Sequence, residues 1–214
     1  MKKIVKDALV LFAITLVAGI LLGVVYQITL DPIAKANENA KEKAYKAVLA
    51  EADSFETIDA LPSDDDINAS SDIDFSKDKV NEVAIGKKGS ETAGYVVTVT
   101  DSDGYGGDIK FSVGVGADGT YLGTSILSIS ETAGLGMRVK TSPDFLAQFK
   151  SANTDKFVLV KDGSGAAAGD EKIDAISGST VTSKAVLRGV NSALIAYKEI
   201  YAAKAVTVGG VSVE

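Results

Sequence analysis

The chain has no cysteine and no histidine among its 214 residues. The first absence excludes disulfides, thiol nucleophiles, Cys-ligated iron–sulfur clusters and thiolate-held zinc. The second removes Ser-His-Asp triads, His-ligated haem and most transition-metal sites. Positive charge is also short: 22 Lys and Arg stand against 29 Asp and Glu, for a net charge of −7. A nucleic-acid footprint needs clustered positive charge, so no nucleic-acid partner is expected. Acid–base chemistry would fall to carboxylates, lysine or tyrosine. An organic cofactor that brings its own chemistry suits this inventory better. No metal site is read either. The run Asp64, Asp65 and Asp66 lacks the alternating spacing and closing glutamate of a calcium loop and reads as a hydrated acidic loop.

Apolar residues, by contrast, are concentrated at the start. Lys2, Lys3 and Lys6 precede a stretch from Ala8 to Leu30 with no charged residue. That is roughly the length that a spanning helix needs. Residues 1–30 therefore read as a cytoplasmic start and a single transmembrane anchor, with the N-terminus in the cytoplasm and the rest outside. Ala34, Lys35 and Ala36 have the small-x-small form of a signal-cleavage site. The apolar run, however, is longer than the h-region of about 7–15 residues in a signal peptide, so a retained anchor is expected.

Residues 31–78 read as a helical stalk, from Pro32 to about Ala50, followed by the acidic loop. Residues 79–214 read as the folded domain. Its strands are expected over 94–100, 109–115, 120–130 and 157–160, with Asp118 and Gly119 as a hairpin turn. A short helix opens at Ser142 and Pro143, with Phe145, Leu146 and Phe149 on its apolar side. Residues 163–169 read as a flexible loop. A long helix follows Thr180, carried by Val186, Val190, Leu194, Tyr197 and Tyr201 at helical spacing. Residues 205–214 have strand character and are expected to pair with the sheet edge. The fold class is α+β, an antiparallel sheet with packed helices behind a transmembrane helix.

The most informative stretch runs from Asp174 to Ser183 (Asp-Ala-Ile-Ser-Gly-Ser-Thr-Val-Thr-Ser). Hydroxyls crowd around Gly178 just before the long helix. Thr182 or Ser183 is expected as its N-cap. A helix start offers free N–H groups and partial positive charge, so an anionic phosphate is tolerated there, and Lys184 and Arg188 add charge near the same end. An ordinary strand–turn–helix junction uses the same residues, and this stretch alone leaves both readings open.

Two further stretches carry a resemblance. Residues 131–136 (Glu-Thr-Ala-Gly-Leu-Gly) resemble the Glu-Thr-Pro-Gly-Leu-Gly loop of FMN-binding domains, and residues 104–109 (Gly-Tyr-Gly-Gly-Asp-Ile) resemble their Gly-Tyr-Gly-Gly-x-Ile entry. With the anchor in front and the Ser-Gly-x-Thr motif behind, the order is similar to the G subunit of the Rnf electron-transport complex. It is shared with the C subunit of the sodium-translocating NADH:quinone oxidoreductase, which is typically longer than this chain.

The resemblance implies FMN joined to Thr180 through a phosphoester, attached by a separate flavin transferase that recognises Asp174, Ser177, Gly178 and Thr180. Ser179 stands where alanine is usual and brings a competing hydroxyl; Thr182 is a third. Ala133 stands where proline is usual. Glu131 and Thr132 would orient their loop or hydrogen-bond the flavin. Gly134, Leu135 and Gly136 would lie against its ring, with Tyr105 nearby, and Arg138 or Lys140 would supply positive charge to the reduced cofactor. The implied role is electron relay with no independent catalysis, among the other membrane and redox subunits of an ion-translocating ferredoxin:NAD complex. A membrane-anchored binding domain without flavin and an anchored extracytoplasmic reductase are the other readings.

Overall fold

The computed structural model describes residues 2–58, 61, 63–69, 73–150, 154, 156–164, 171–202, 206–208 and 211–213. The chain forms two compact units, residues 1–42 and 43–214. The first is most of a single helix, α1 (Lys2–Val48). It contains an 18-residue window of mean hydropathy 2.9 with none of that window buried, and is long and apolar enough to cross a membrane. Its two threonine hydroxyls bond back to the helix itself. Thr15 Oγ1 donates to the Leu11 carbonyl and Thr29 Oγ1 to the Val25 carbonyl, at 3.1 and 2.9 Å. Such back-bonding satisfies both threonine donors in an apolar surround. The anchor and the stalk, read as separate helices, are one: α1 continues through Pro32. Proline costs one backbone bond, and the Ala-, Lys- and Glu-rich stretch after it has high helix propensity.

The second unit begins at Lys43, not near Lys79. The stretch read as an acidic loop holds a strand, β1 (Ser54–Thr57), and a short helix, α2 (Asp64–Ala69). The acidic run opens α2 as a capping box. Ser63 Oγ accepts the Asp66 amide at 3.1 Å, and Asp66 Oδ2 accepts the Ser63 amide at 3.1 Å. The Ser63 hydroxyl, which donates to Asp66 Oδ2 at 2.6 Å, and then the Ser63 amide hold the Asp66 carboxyl below its usual pKa. Among the described residues no acidic group gathers to hold a metal.

The sheet is antiparallel throughout, in the order β1-β2-β3-β4-β5, with β2 at Asp78–Lys88, β3 at Glu91–Asp101, β4 at Ile109–Gly116 and β5 at Tyr121–Ser128. The expected hairpin turn is present: Gly119 has φ +87°, which glycine adopts freely. One face presents Val83, Ile85, Val97, Val99, Phe111 and Val113 to the long helix α5 (Thr180–Ala202). Val186, Val190, Leu194 and Tyr197 of α5 are buried there as the spacing predicts, and the Tyr201 side chain lies outside the described residues.

The opposite face is covered by the end of α1. Cross-strand neighbours Ala84, Val96, Gly114 and Gly123 form a row of small residues across four strands. Tyr45, Val48 and Leu49 pack on this face, and a Cβ at Gly114 would strike the Val48 carbonyl. The glycine thus permits backbone to lie on backbone. We expect Gly114→Ala to destabilise the domain by about 1–3 kcal/mol, the usual cost of overpacking. Thermal unfolding of the detergent-solubilised chain checks this, and an unchanged midpoint contradicts it.

Four shorter elements complete the described residues of this unit before α5. They are α3 (Arg138–Thr141), α4 (Pro143–Ala147), β6 (Val158–Val160) and β7 (Lys172–Asp174). α4 buries Phe145 as expected, beside Phe149 and Phe157. β6 falls within the strand expected over 157–160; it pairs in parallel with β7 as a separate ribbon, a pairing that sequence reading missed, as it did α3. The loop expected over 163–169 lies outside the described residues from 165 onward. The terminal strands β8 (Val206–Val208) and β9 (Val211–Val213) pair with each other and not with the main sheet.

Candidate functional site

Three sequence segments converge on one cavity of about 580 Å³, lined by Tyr105, Glu131, Thr132, Leu135, Gly136 and residues 178–182. This volume falls within the range of roughly 300–1,000 Å³ typical of small-molecule sites. The first segment leaves β3 through Asp101 and Asp103 and turns at Gly107, whose φ is +111°. A Cβ at Gly106 would strike the Ser130 carbonyl, so the absence of a side chain lets this loop lie directly on the second.

The second segment follows β5. Leu135 and Met137 both donate their amides to the Thr132 carbonyl, at 3.1 and 3.2 Å, and Gly134 takes φ +77°. The loop then rolls into α3. Ala133 is exposed in this turn. Glu131 is buried behind the loop and Leu135 is 46% exposed at the cavity. A Cβ at Gly136 would lie 2.5 Å from Glu131 Oε2 and 2.7 Å from Thr182 Oγ1, so glycine lets these two side chains close across it.

The third segment is the hydroxyl-rich motif. Gly178 takes φ +78° and faces Leu135, whose Cδ2 would stand 3.4 Å from an added Cβ. The helix starts at Thr180, earlier than the expected cap at Thr182 or Ser183. Ser183 explains the difference. Its Oγ accepts the Ile176 amide at 3.0 Å and donates to the Ser179 carbonyl at 2.9 Å, so it staples the turn from inside the helix. The amides of Thr180, Val181 and Thr182 have no carbonyl one turn back to accept them.

The motif hydroxyls differ sharply in access. Ser179 is 6% and Thr182 1% exposed, whereas Thr180 is half-buried at the cavity wall. Among the described residues, Glu131 Oε1 and Ser179 Oγ are buried without a hydrogen-bond partner.

Asp174 and Ser177 do not line this cavity. They open on an adjoining cleft of about 180 Å³ with Arg138 and Gln148. Gln148 bridges the Asp174 backbone, accepting its amide at 2.7 Å and donating to its carbonyl at 3.2 Å, which fixes the approach to the motif. Gly134 stands at the loop tip outside both linings. Arg138 and Lys140, expected to supply positive charge, lie outside the main cavity, whose lining holds one carboxylate and no cation.

Arg188, expected to add charge at the helix start, is committed elsewhere. Its Nε donates to Asp101 Oδ2 at 2.8 Å and stands 3.1 Å from Asp78 Oδ2, and its Nη1 reaches Asp103 at 3.3 Å. The cluster ties α5 to the strand that feeds Tyr105. Nothing in the sequence pairs Arg188 with Asp101 and Asp103, which lie 87 and 85 positions away along the chain.

One guanidinium faces two sealed carboxylates here. Burial, reinforced by the Asp101 charge, pushes the Asp78 carboxyl up to about 8 despite the attraction of Arg188. The folded chain therefore holds a proton at Asp78 that the unfolded chain has released, and stability falls as pH rises between about 4 and about 8. Asp78→Asn should flatten that slope and gain relative to the parent above pH 8. Urea unfolding at pH 5 and pH 8.5 checks this, and parallel pH profiles for both proteins contradict it.

The FMN-binding domain family model matches residues 104–195, and the model of the RnfG N-terminal region matches residues 1–48. The chain is 34% identical over 200 residues to the G subunit of the Na(+)-translocating ferredoxin:NAD(+) oxidoreductase complex of Acetobacterium woodii, covering 93% of this chain and 94% of the relative. It is 32% identical to the G subunit of the proton-translocating ferredoxin:NAD(+) oxidoreductase complex of Clostridium ljungdahlii, over 88% and 92% of the two chains. The G subunit of an ion-translocating oxidoreductase complex of Methanosarcina acetivorans is 29% identical, over 90% and 94%.

Proposed function

This chain belongs to the family of the Rnf complex G subunits and carries an FMN-binding domain, and from that premise we propose that it relays electrons on a covalently held FMN in a membrane ferredoxin:NAD oxidoreductase complex coupled to ion transport. The other membrane and redox subunits of that complex are its partners. α1 anchors it, and Lys2, Lys3 and Lys6 favour a cytoplasmic N-terminus with the flavin domain outside.

The residues at the cavity fit the cofactor. The α5 amides and Ser179 Oγ suit a phosphate, while Tyr105, Leu135 and Val181, at 76%, 46% and 49% exposure, offer apolar surface that a planar ring would cover. FMN supplies the electron-transfer chemistry, and the chain supplies position and surroundings. Glu131 presents an acceptor to the ligand's hydrogen-bond donors, and Gly178 and Gly136 clear the space between the loops.

The observation that carries the covalent reading is the graded access of the three hydroxyls. Thr180 alone is both at the helix start and half-open to the cavity. A flavin transferase would join its Oγ to the FMN phosphorus of FAD. The pyrophosphate P–O bond breaks, AMP leaves, and the hydroxyl proton is lost to the transferase or solvent. Membranes from cells with the transferase should give a band that fluoresces after denaturation in detergent and that copurifies with other membrane subunits. A colourless protein that purifies alone would favour the anchored binding domain.

A further inference from the structure

Ser179 directly precedes the first residue of α5, a 23-residue helix. A serine in that place ordinarily caps the helix by accepting an amide from its first turn. Here its Oγ has no partner, although the residue is only 6% exposed. The turn is held without it, by Ser183 Oγ and by the Ser183 amide bonded to the Ser179 carbonyl at 2.9 Å. A buried hydroxyl left unbonded costs stability, and such groups are rare in native proteins. Ser179 also lines the cavity beside Thr180 and the open amides of the helix start.

We infer that Ser179 is a phosphate-holding residue whose hydroxyl donates to a phosphoryl oxygen of the cofactor at Thr180. This rests on the FMN reading above. It gives the serine at this position, where related motifs carry alanine, a function other than a second attachment point. The donor set is Ser179 Oγ together with the amides of the first turn. The cavity lining holds no cation, so hydrogen bonds and the helix dipole carry the anion. Glu131, the one carboxylate in the lining, disfavours the reverse placement of the ligand.

Riboflavin separates this role from packing, because it lacks the phosphate. The full chain, made in cells without flavin transferase and solubilised in detergent, is titrated with FMN and with riboflavin. Ser179→Ala should weaken FMN binding about tenfold, the scale of a hydrogen bond to a charged group, and leave riboflavin binding unchanged. Equal weakening of both ligands, or of neither, overturns the inference. In parallel, the flavinylated parent and Ser179→Ala are compared by 31P NMR. A displaced phosphodiester resonance at full flavin occupancy supports the contact. An identical resonance rejects it and decides the matter should the unmodified chain bind neither ligand. Absence of covalent flavin from the parent would instead defeat the functional reading on which the inference stands.

Discussion

We expect Thr180→Val to abolish the proposed covalent flavin and to leave the fold in place. Valine keeps the branched shape of threonine and lacks only the hydroxyl oxygen that would bond to phosphorus. Thr180 is the first residue of α5 and half-buried, so the exchange neither opens a cavity nor breaks a helix bond. A β-branched residue in a first turn costs only tenths of a kcal/mol. The effect is therefore all or none in flavin and small in stability. Fluorescence of the denatured band reads the first, and circular dichroism of the solubilised chain reads the second. The competing hydroxyls make the test sharp. Ser179 and Thr182 are only 6% and 1% exposed, less open to an incoming transferase than Thr180, so neither should accept FMN in its place. A fluorescent band from the Val variant would move the attachment to one of them.

The largest expected loss of stability follows Arg188→Met. The side chains of Asp78 and Asp101 are 1% and 0% exposed, and the Arg188 guanidinium is the cation that faces both. Replacing it with an apolar side chain of similar length keeps the packing and strands buried charge. Breaking a buried pair in this way costs about 3–5 kcal/mol. That is a large part of a total stability of about 5–15 kcal/mol. The loss should shrink in acid, because both carboxyls are already raised by burial and take up protons without the arginine. Urea unfolding at pH 8 and pH 4.5 measures this. A loss below about 1 kcal/mol at pH 8 would mean that the cluster is solvated in a way its burial contradicts. The same variant should loosen the loop that carries Tyr105, since Arg188 also reaches Asp103.

Much of the site was legible in the sequence. Tyr105, Glu131, Thr132, Leu135, Gly136, Gly178, Ser179, Thr180 and Thr182 all line one cavity, although they lie in three separate segments. They could be named because their three segments resemble the motifs of FMN-binding domains; glycines and hydroxyls at fixed spacing mark turns by themselves, not a shared cavity. The α+β class was readable because alternation in β4 and helical spacing in α5 are local patterns. What escaped depends on partners distant in sequence. The row of Ala84, Val96, Gly114 and Gly123 exists only once four strands align, so the seat for the end of α1 cannot be seen along any one of them. The clamp of Arg188 on Asp78 and Asp101 is equally invisible, and a cation near a helix start was mistaken for a free one. The start of α5 was misplaced because Ser183 looks like a cap and acts as one from within the first turn.

The central claim is that this domain carries FMN on Thr180. The most direct measurement is mass spectrometry of the denatured protein from its native membranes, with peptide mapping across residues 172–188. A mass increase equal to FMN less one water, localised to Thr180, is expected. An unmodified peptide from cells competent in flavinylation, or the same increase on another residue, would contradict it.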